Sequence, residues 1–166
     1  KTAMDFEAQM AKGGAVSRAT NSDMGRLTQT ARKLGATTTF SASQAAQGME
    51  FLGMAGFNTG EIIKTMPGLL NLAKAGTLGL GRASDIASDI MSGFGLKAED
   101  MGRISDVLTA TFTRSNTTLG MLGETMKFVA PVAKTAGLSI EETSAFAGIL
   151  ANSGIKASQA GTTLRA

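Results

Sequence analysis

The sequence predicts an all-α fold: an array of about eight short helices, arranged as helical hairpins and punctuated by glycine stops. Three observations predict it. Apolar residues recur at helical spacing, as in Met24, Leu27, Ala31 and Leu34, which share one face of a helix. Ser41 with Gln44, and Ser139 with Glu142, have the form of capping boxes, in which a hydroxyl and an amide or carboxylate satisfy the free N–H groups of a helix start. Gly56, Gly76, Gly95, Gly137 and Gly154 close apolar stretches at intervals of 20, 19, 42 and 17 residues. Each interval, or half of the 42, holds one helix and a short connection.

The elements follow in order. Met4 to Leu34 reads as a first helical segment, weakened by Gly13, Gly14 and Gly25 and stopped at Leu34-Gly35. Ala36-Thr37-Thr38-Thr39-Phe40 is β-branched but has no partner run of its type, so it reads as an extended linker and not a strand. Ser41 opens a helix that ends at Ala55-Gly56, with Met49, Phe51, Leu52 and Ala55 on its apolar side. Thr59 caps a third helix, through Ile62, Met66, Leu69 and Ala73 to Ala75-Gly76. Pro67 lies inside it and predicts a kink or a restart. A fourth helix covers Arg82 to Met91, and a fifth covers Ala98 to Phe112, with Met101, Ile104, Leu108 and Phe112 in register. A sixth starts near Thr118 and is bent or split at Pro131 before Ala136-Gly137. The seventh starts at Ser139 and ends at Ser153-Gly154, and the eighth begins around Ala157. Leu72 to Gly76 and the helix ending at Gly93 echo Val132 to Gly137 and the helix ending at Gly154, as an internal duplication of helical hairpins would.

Composition bounds the chemistry. The chain has no cysteine and no histidine, which removes disulfides, thiolate sites and the usual base of nucleophilic triads. The net charge of +3 is mild. The basic group Lys12, Arg18, Arg26, Arg32 and Lys33 reads as a solvated helix face, and no sequence-specific nucleic-acid contact is expected. No run approaches the roughly 18 apolar residues of a membrane span. The close carboxylates Glu99, Asp100, Glu141 and Glu142 fall in first helical turns, where negative charge meets the helix dipole. Asp85 and Asp89 share a face without a loop of carbonyl donors to complete a cation site. Gly76-Thr77-Leu78-Gly79-Leu80-Gly81-Arg82 lacks the Lys-Ser/Thr of a phosphate loop. No catalytic, cofactor-binding or metal-binding residues are therefore expected, and no enzyme. The ten methionines, among them Met49, Met54, Met66, Met91, Met101, Met121 and Met126, suit irregular core filling or repacking on assembly.

A series of segments, in order, resembles the tape measure proteins of tailed phages, the phage-related minor tail protein family. They are Leu34 to Ala42, Met49 to Phe57, Met66 to Ala73, Ser84 to Leu96, Leu122 to Ala133 and Leu150 to Arg165. The resemblance implies that residues 1–34 are a helical lead-in and that residues 35–166 are a tape-measure-type helical domain, in a fragment of a longer chain. It implies a virion protein of the phage tail lumen, made in the host cytoplasm, acting in tail assembly, tail-length determination and genome ejection. The partners it implies are tail tube and tail-tip proteins, tail assembly chaperones and further copies of the protein, with the host membrane on ejection. A membrane-active helical module that aids DNA passage is the alternative reading.

Overall fold

A computed structural model of the chain describes residues 2–165. These residues form nine α-helices and no strand: α1 Thr2–Val16, α2 Asn21–Thr37, α3 Ala42–Met54, α4 Thr59–Ala75, α5 Leu80–Phe94, α6 Met101–Arg114, α7 Leu119–Thr135, α8 Ile140–Asn152 and α9 Ala157–Arg165. A 3-10 turn, Ala98–Asp100, leads into α6.

The first segment is two helices, not one. The break falls at Arg18, which takes φ +53. Thr20 then opens α2 with a capping box whose third residue is Asp23, a shorter carboxylate than the usual Glu or Gln. Gly35 does not stop α2, which runs on to Thr37, so the extended link shrinks to Thr38, Thr39 and Phe40. Gly35 serves close approach instead: a Cβ there would lie 2.5 Å from the Ala42 nitrogen. Asn58, and not Thr59, caps α4 by accepting from the Glu61 N–H at 3.0 Å. Neither proline splits its helix, since α4 and α7 run unbroken through Pro67 and Pro131. Both prolines are exposed, on the side where a carbonyl freed from the ladder can be hydrated.

Six of the eight connections share one joint. After α1, α3, α4, α5, α7 and α8, a residue with positive φ is followed by an apolar residue, then by the next N-cap or helix start. The apolar residues are Ala19, Phe57, Leu78, Leu96, Leu138 and Ile155, and each donates its N–H five residues back at 2.8–3.1 Å. This bond satisfies a free carbonyl of the helix end, and at the first five joints the apolar side chain packs against the core. Glycine holds the left-handed position at Gly56, Gly95, Gly137 and Gly154, as expected for stops. Gly76 does not: its φ is −81, and Thr77 takes φ +53 in its place. Position 76 excludes a side chain because the Leu119 side chain occupies the space a Cβ would need.

The helices stack in two layers. α1, α3, α5, α7 and α9 pack in succession, and α2, α4, α6 and α8 do the same beside them. Within a layer the contact partner is therefore two helices away in sequence, while adjacent helices such as α2 and α3 pack across the layers, and the unit is a helix pair, as in solenoids. The N-caps Ser41, Gly79 and Thr118 stand 38 and 39 residues apart. The sequence echo between the ends of α4 and α7 does not mark this unit, because it pairs a helix of one layer with a helix of the other. Both ends finish in the same joint, and that joint is the source of the likeness. One continuous core, including Leu27, Leu52, Leu69, Ile90, Ile104 and Met126, runs through the stack. Met49, Met66, Met91, Met101 and Met126 are buried in it, while Met54 and Met121 are exposed.

Candidate assembly faces

Most acidic residues singled out in the sequence have structural partners. Glu142 completes the cap of α8: its carboxylate accepts from the Ser139 backbone N–H at 2.8 Å, while its own N–H donates to Ser139 Oγ at 3.2 Å. The Ser139 backbone N–H, then its hydroxyl, hold the Glu142 carboxyl below its ordinary value. Asp100 accepts from the Lys97 N–H at 2.9 Å. Glu99 meets Lys64 at 2.5 Å, and this hydrogen bond lowers its pKa. Glu141 accepts two bonds from Arg103, at 2.6 and 2.7 Å, which lower its pKa and raise that of Arg103. Asp85 and Asp89 are exposed. Among the described residues no three acidic, His or Cys side chains converge as a metal site, and no helix is long and apolar enough to cross a membrane.

The longer-range pairs follow the stacking. Gln9 of α1 reaches Glu50 of α3, and Arg82 of α5 reaches Glu124 of α7. In the other layer Lys64 of α4 reaches Glu99 ahead of α6, and Arg103 of α6 reaches Glu141 of α8. Each of these four polar ties joins a helix to the next of its layer. All but the half-buried Gln9–Glu50 pair are exposed, and such surface ties contribute little each. No feature of the isolated sequence could have paired them, since partners lie 35 to 42 residues apart. The basic residues of the N-terminal part are partly engaged as well: Arg32 lies 5.6 Å from the Phe6 ring centroid and Arg26 pairs with Asp23.

Two open grooves accompany this architecture. One, of about 650 Å³, lies between the α3–α4 and α5–α6 joints, and its charged rim includes Lys64 and Glu99, which neutralise each other. The other, of about 390 Å³, runs between α6 and α8 past Val107, Thr111 and Gly148. Neither groove gathers a nucleophile with a base. The exposed apolar side chains are the more informative surface: Met121, Phe128 and Val132 on α7, and Phe146 and Ile149 on α8, lie at the C-terminal end of the stack.

A periodic stack of hairpins, with most of these acids engaged in helix caps and ties between units, defines a helical scaffold. The chain belongs to the phage-related minor tail protein family, whose model matches residues 28–166. It is 45% identical over 165 residues to the tape measure protein of Pneumococcus phage Dp-1, covering 99% of this chain and 14% of that protein. It is 34% identical over 146 residues to the probable tape measure protein of Escherichia phage P2, covering 88% of this chain and 18% of that protein. The chain thus spans less than a fifth of the length of these relatives. No solved structure matches it.

Proposed function

We propose that the chain is a structural, non-enzymatic segment of a phage tape measure protein, acting in tail assembly, tail-length determination and genome ejection. The observation that carries this reading is the match to the Dp-1 tape measure protein along 99% of the chain. The architecture refines it. A single helix of this length would extend about 250 Å, whereas these residues fold back at every joint. The segment is a folded head on the measuring protein and not its rod. It docks tail tube and tail-tip proteins, assembly chaperones or further copies of itself, first in the host cytoplasm and then in the tail. Residues 35–166 form the tape-measure-type domain on this reading, with 1–34 as its helical lead-in.

In-frame deletion of the segment from the full-length protein tests the proposal. The expected result is loss of infectious particles, with tails absent or of altered length in electron micrographs. Normal tail yield and normal infectivity would remove it.

A further inference from the structure

The stacking has a direction, and it assigns a partner to the outer side of α8. Helices α4 and α8 start from the caps Asn58 and Ser139, and the 3-10 turn that leads into α6 starts from Lys97. Seven, ten and fourteen residues beyond these caps stand Thr65, Gly68 and Leu72 on α4, Ile104, Val107 and Thr111 on α6, and Phe146, Ile149 and Ser153 after Ser139. Such positions form one stripe of a helix. On α4 the stripe is buried, with Gly68 directly against Met101 of α6. On α6 it faces α8, where Thr111 lies against Gly148. On α8 the stripe carries two large apolar side chains and is open, with Phe146 45% and Ile149 62% exposed.

The neighbouring layer shows what comes next. α9 sits on α7 as α7 sits on α5: Gly161 packs against Phe128 and the Thr125 carbonyl, as Gly123 packs against Ile86. By that pattern α9 holds the place of the first helix of a hairpin, whose second helix would lie on α8.

We propose that Phe146 and Ile149 form the docking stripe for that helix, supplied by chain that follows residue 166 in the full-length protein. The second-layer caps lie 39 and 42 residues apart, so the docking helix starts near residue 180, about one solenoid period after Ser139. Its side toward α8 is small or apolar, because a charged side chain buried on Phe146 and Ile149 would lack a partner. The relatives are several times longer than this chain, so chain beyond this segment is present in them. The inference depends on that continuation but on no step of tail assembly.

The test is thiol labelling of the purified full-length protein, in a background whose other cysteines, if it has any, are replaced. This segment contributes none. Ile149→Cys is compared with Met54→Cys, a side chain 57% exposed at the end of α3. The expected result is labelling at position 149 about tenfold slower or more than at position 54 at every protein concentration, because a covered thiol reacts through local opening. Deletion of the forty or so residues after 166 should restore fast labelling at 149 while the rate at 54 stays unchanged and the circular dichroism signal falls by no more than the deleted helix accounts for. Equal rates in the intact protein would overturn the inference. Protection that appears only at high concentration would also overturn it, since a second copy would then be the cover. So would protection that survives the deletion.

Discussion

The middle of the stack and its C-terminal end are built from the same unit but differ in what covers it. At the seventh position after Lys97, α6 has Ile104, fully buried, and at the seventh after Ser139, α8 has Phe146, nearly half exposed. The larger side chain is the one left open. Exposure in this fold is thus set by position along the stack more than by residue type. Truncation measures the difference. Ile104→Ala is expected to cost about 2–5 kcal/mol, a lost side chain plus a cavity. Phe146→Ala in the same chain is expected to cost well under half of that, because much of its ring is already in water. Urea denaturation of both variants decides it, and equal losses would break the equivalence of the two stripes.

The glycines divide along the same line. Gly68 lies where α4 meets α6, and a Cβ there would stand 2.8 Å from Met101 Cγ and 2.9 Å from the Met101 carbonyl oxygen. The backbone atom cannot swing away, so Gly68→Ala is expected to cost about 1–3 kcal/mol through overpacking. Gly102, on the exposed side of α6, has open space where a Cβ would go, with nothing within 4 Å. Gly102→Ala is expected to stabilise by up to about 1 kcal/mol, the helix-propensity difference. Opposite signs in thermal melts would establish that Gly68 marks a contact between units; matching signs would refute it.

The joints allow a finer comparison. The joint after α7 has Gly137 at φ +78, and the one after α4 has Thr77 at φ +53. A β-branched residue is strained there by about 1 kcal/mol or more. Thr77→Gly is therefore expected to raise stability by about 1 kcal/mol, with the cost of a more flexible unfolded chain set against it. No gain in the melting temperature would mean that the Thr77 side chain compensates its own strain.

These pairs also show what was readable in advance. Helix type and the caps at Ser41 and Ser139 were legible because they depend on neighbours within four residues. The stops were legible where glycine carries the positive φ, as at Gly56 and Gly154. Gly76 marks its stop correctly, since α4 ends at Ala75, but the left-handed residue there is Thr77, and the reason for a glycine at 76 is Leu119, more than forty positions away. The break at Arg18 was hidden because a non-glycine residue takes the left-handed turn and the following cap uses Asp23. The family likeness was carried by runs of ordinary residues in order. The docking stripe was not legible, since Phe146 and Ile149 stand out only against their buried counterparts on α4 and α6.

The smallest expected effect is on pH, and it separates α8 from α5. α8 begins with Glu141 and Glu142, both held below the ordinary carboxylate value of 4.5, by Arg103 and by the Ser139 N–H respectively. α5 begins at Gly79 with no side-chain cap. A carboxyl whose folded pKa is depressed adds stability that is complete above its unfolded pKa and is lost as the pH falls through the folded one. Acidification from neutrality should therefore leave α8 unchanged until about pH 4.5 and loosen it below that. Hydrogen exchange near pH 3.5 is expected to show the first turn of α8 losing protection before the first turn of α5. Glu142→Gln keeps an acceptor for the Ser139 N–H but cannot titrate, so part of the acid sensitivity should vanish while the helix remains. If α5 loosened first, or if Glu142→Gln left the pH profile unchanged, the cap of α8 would owe its strength to geometry and not to charge.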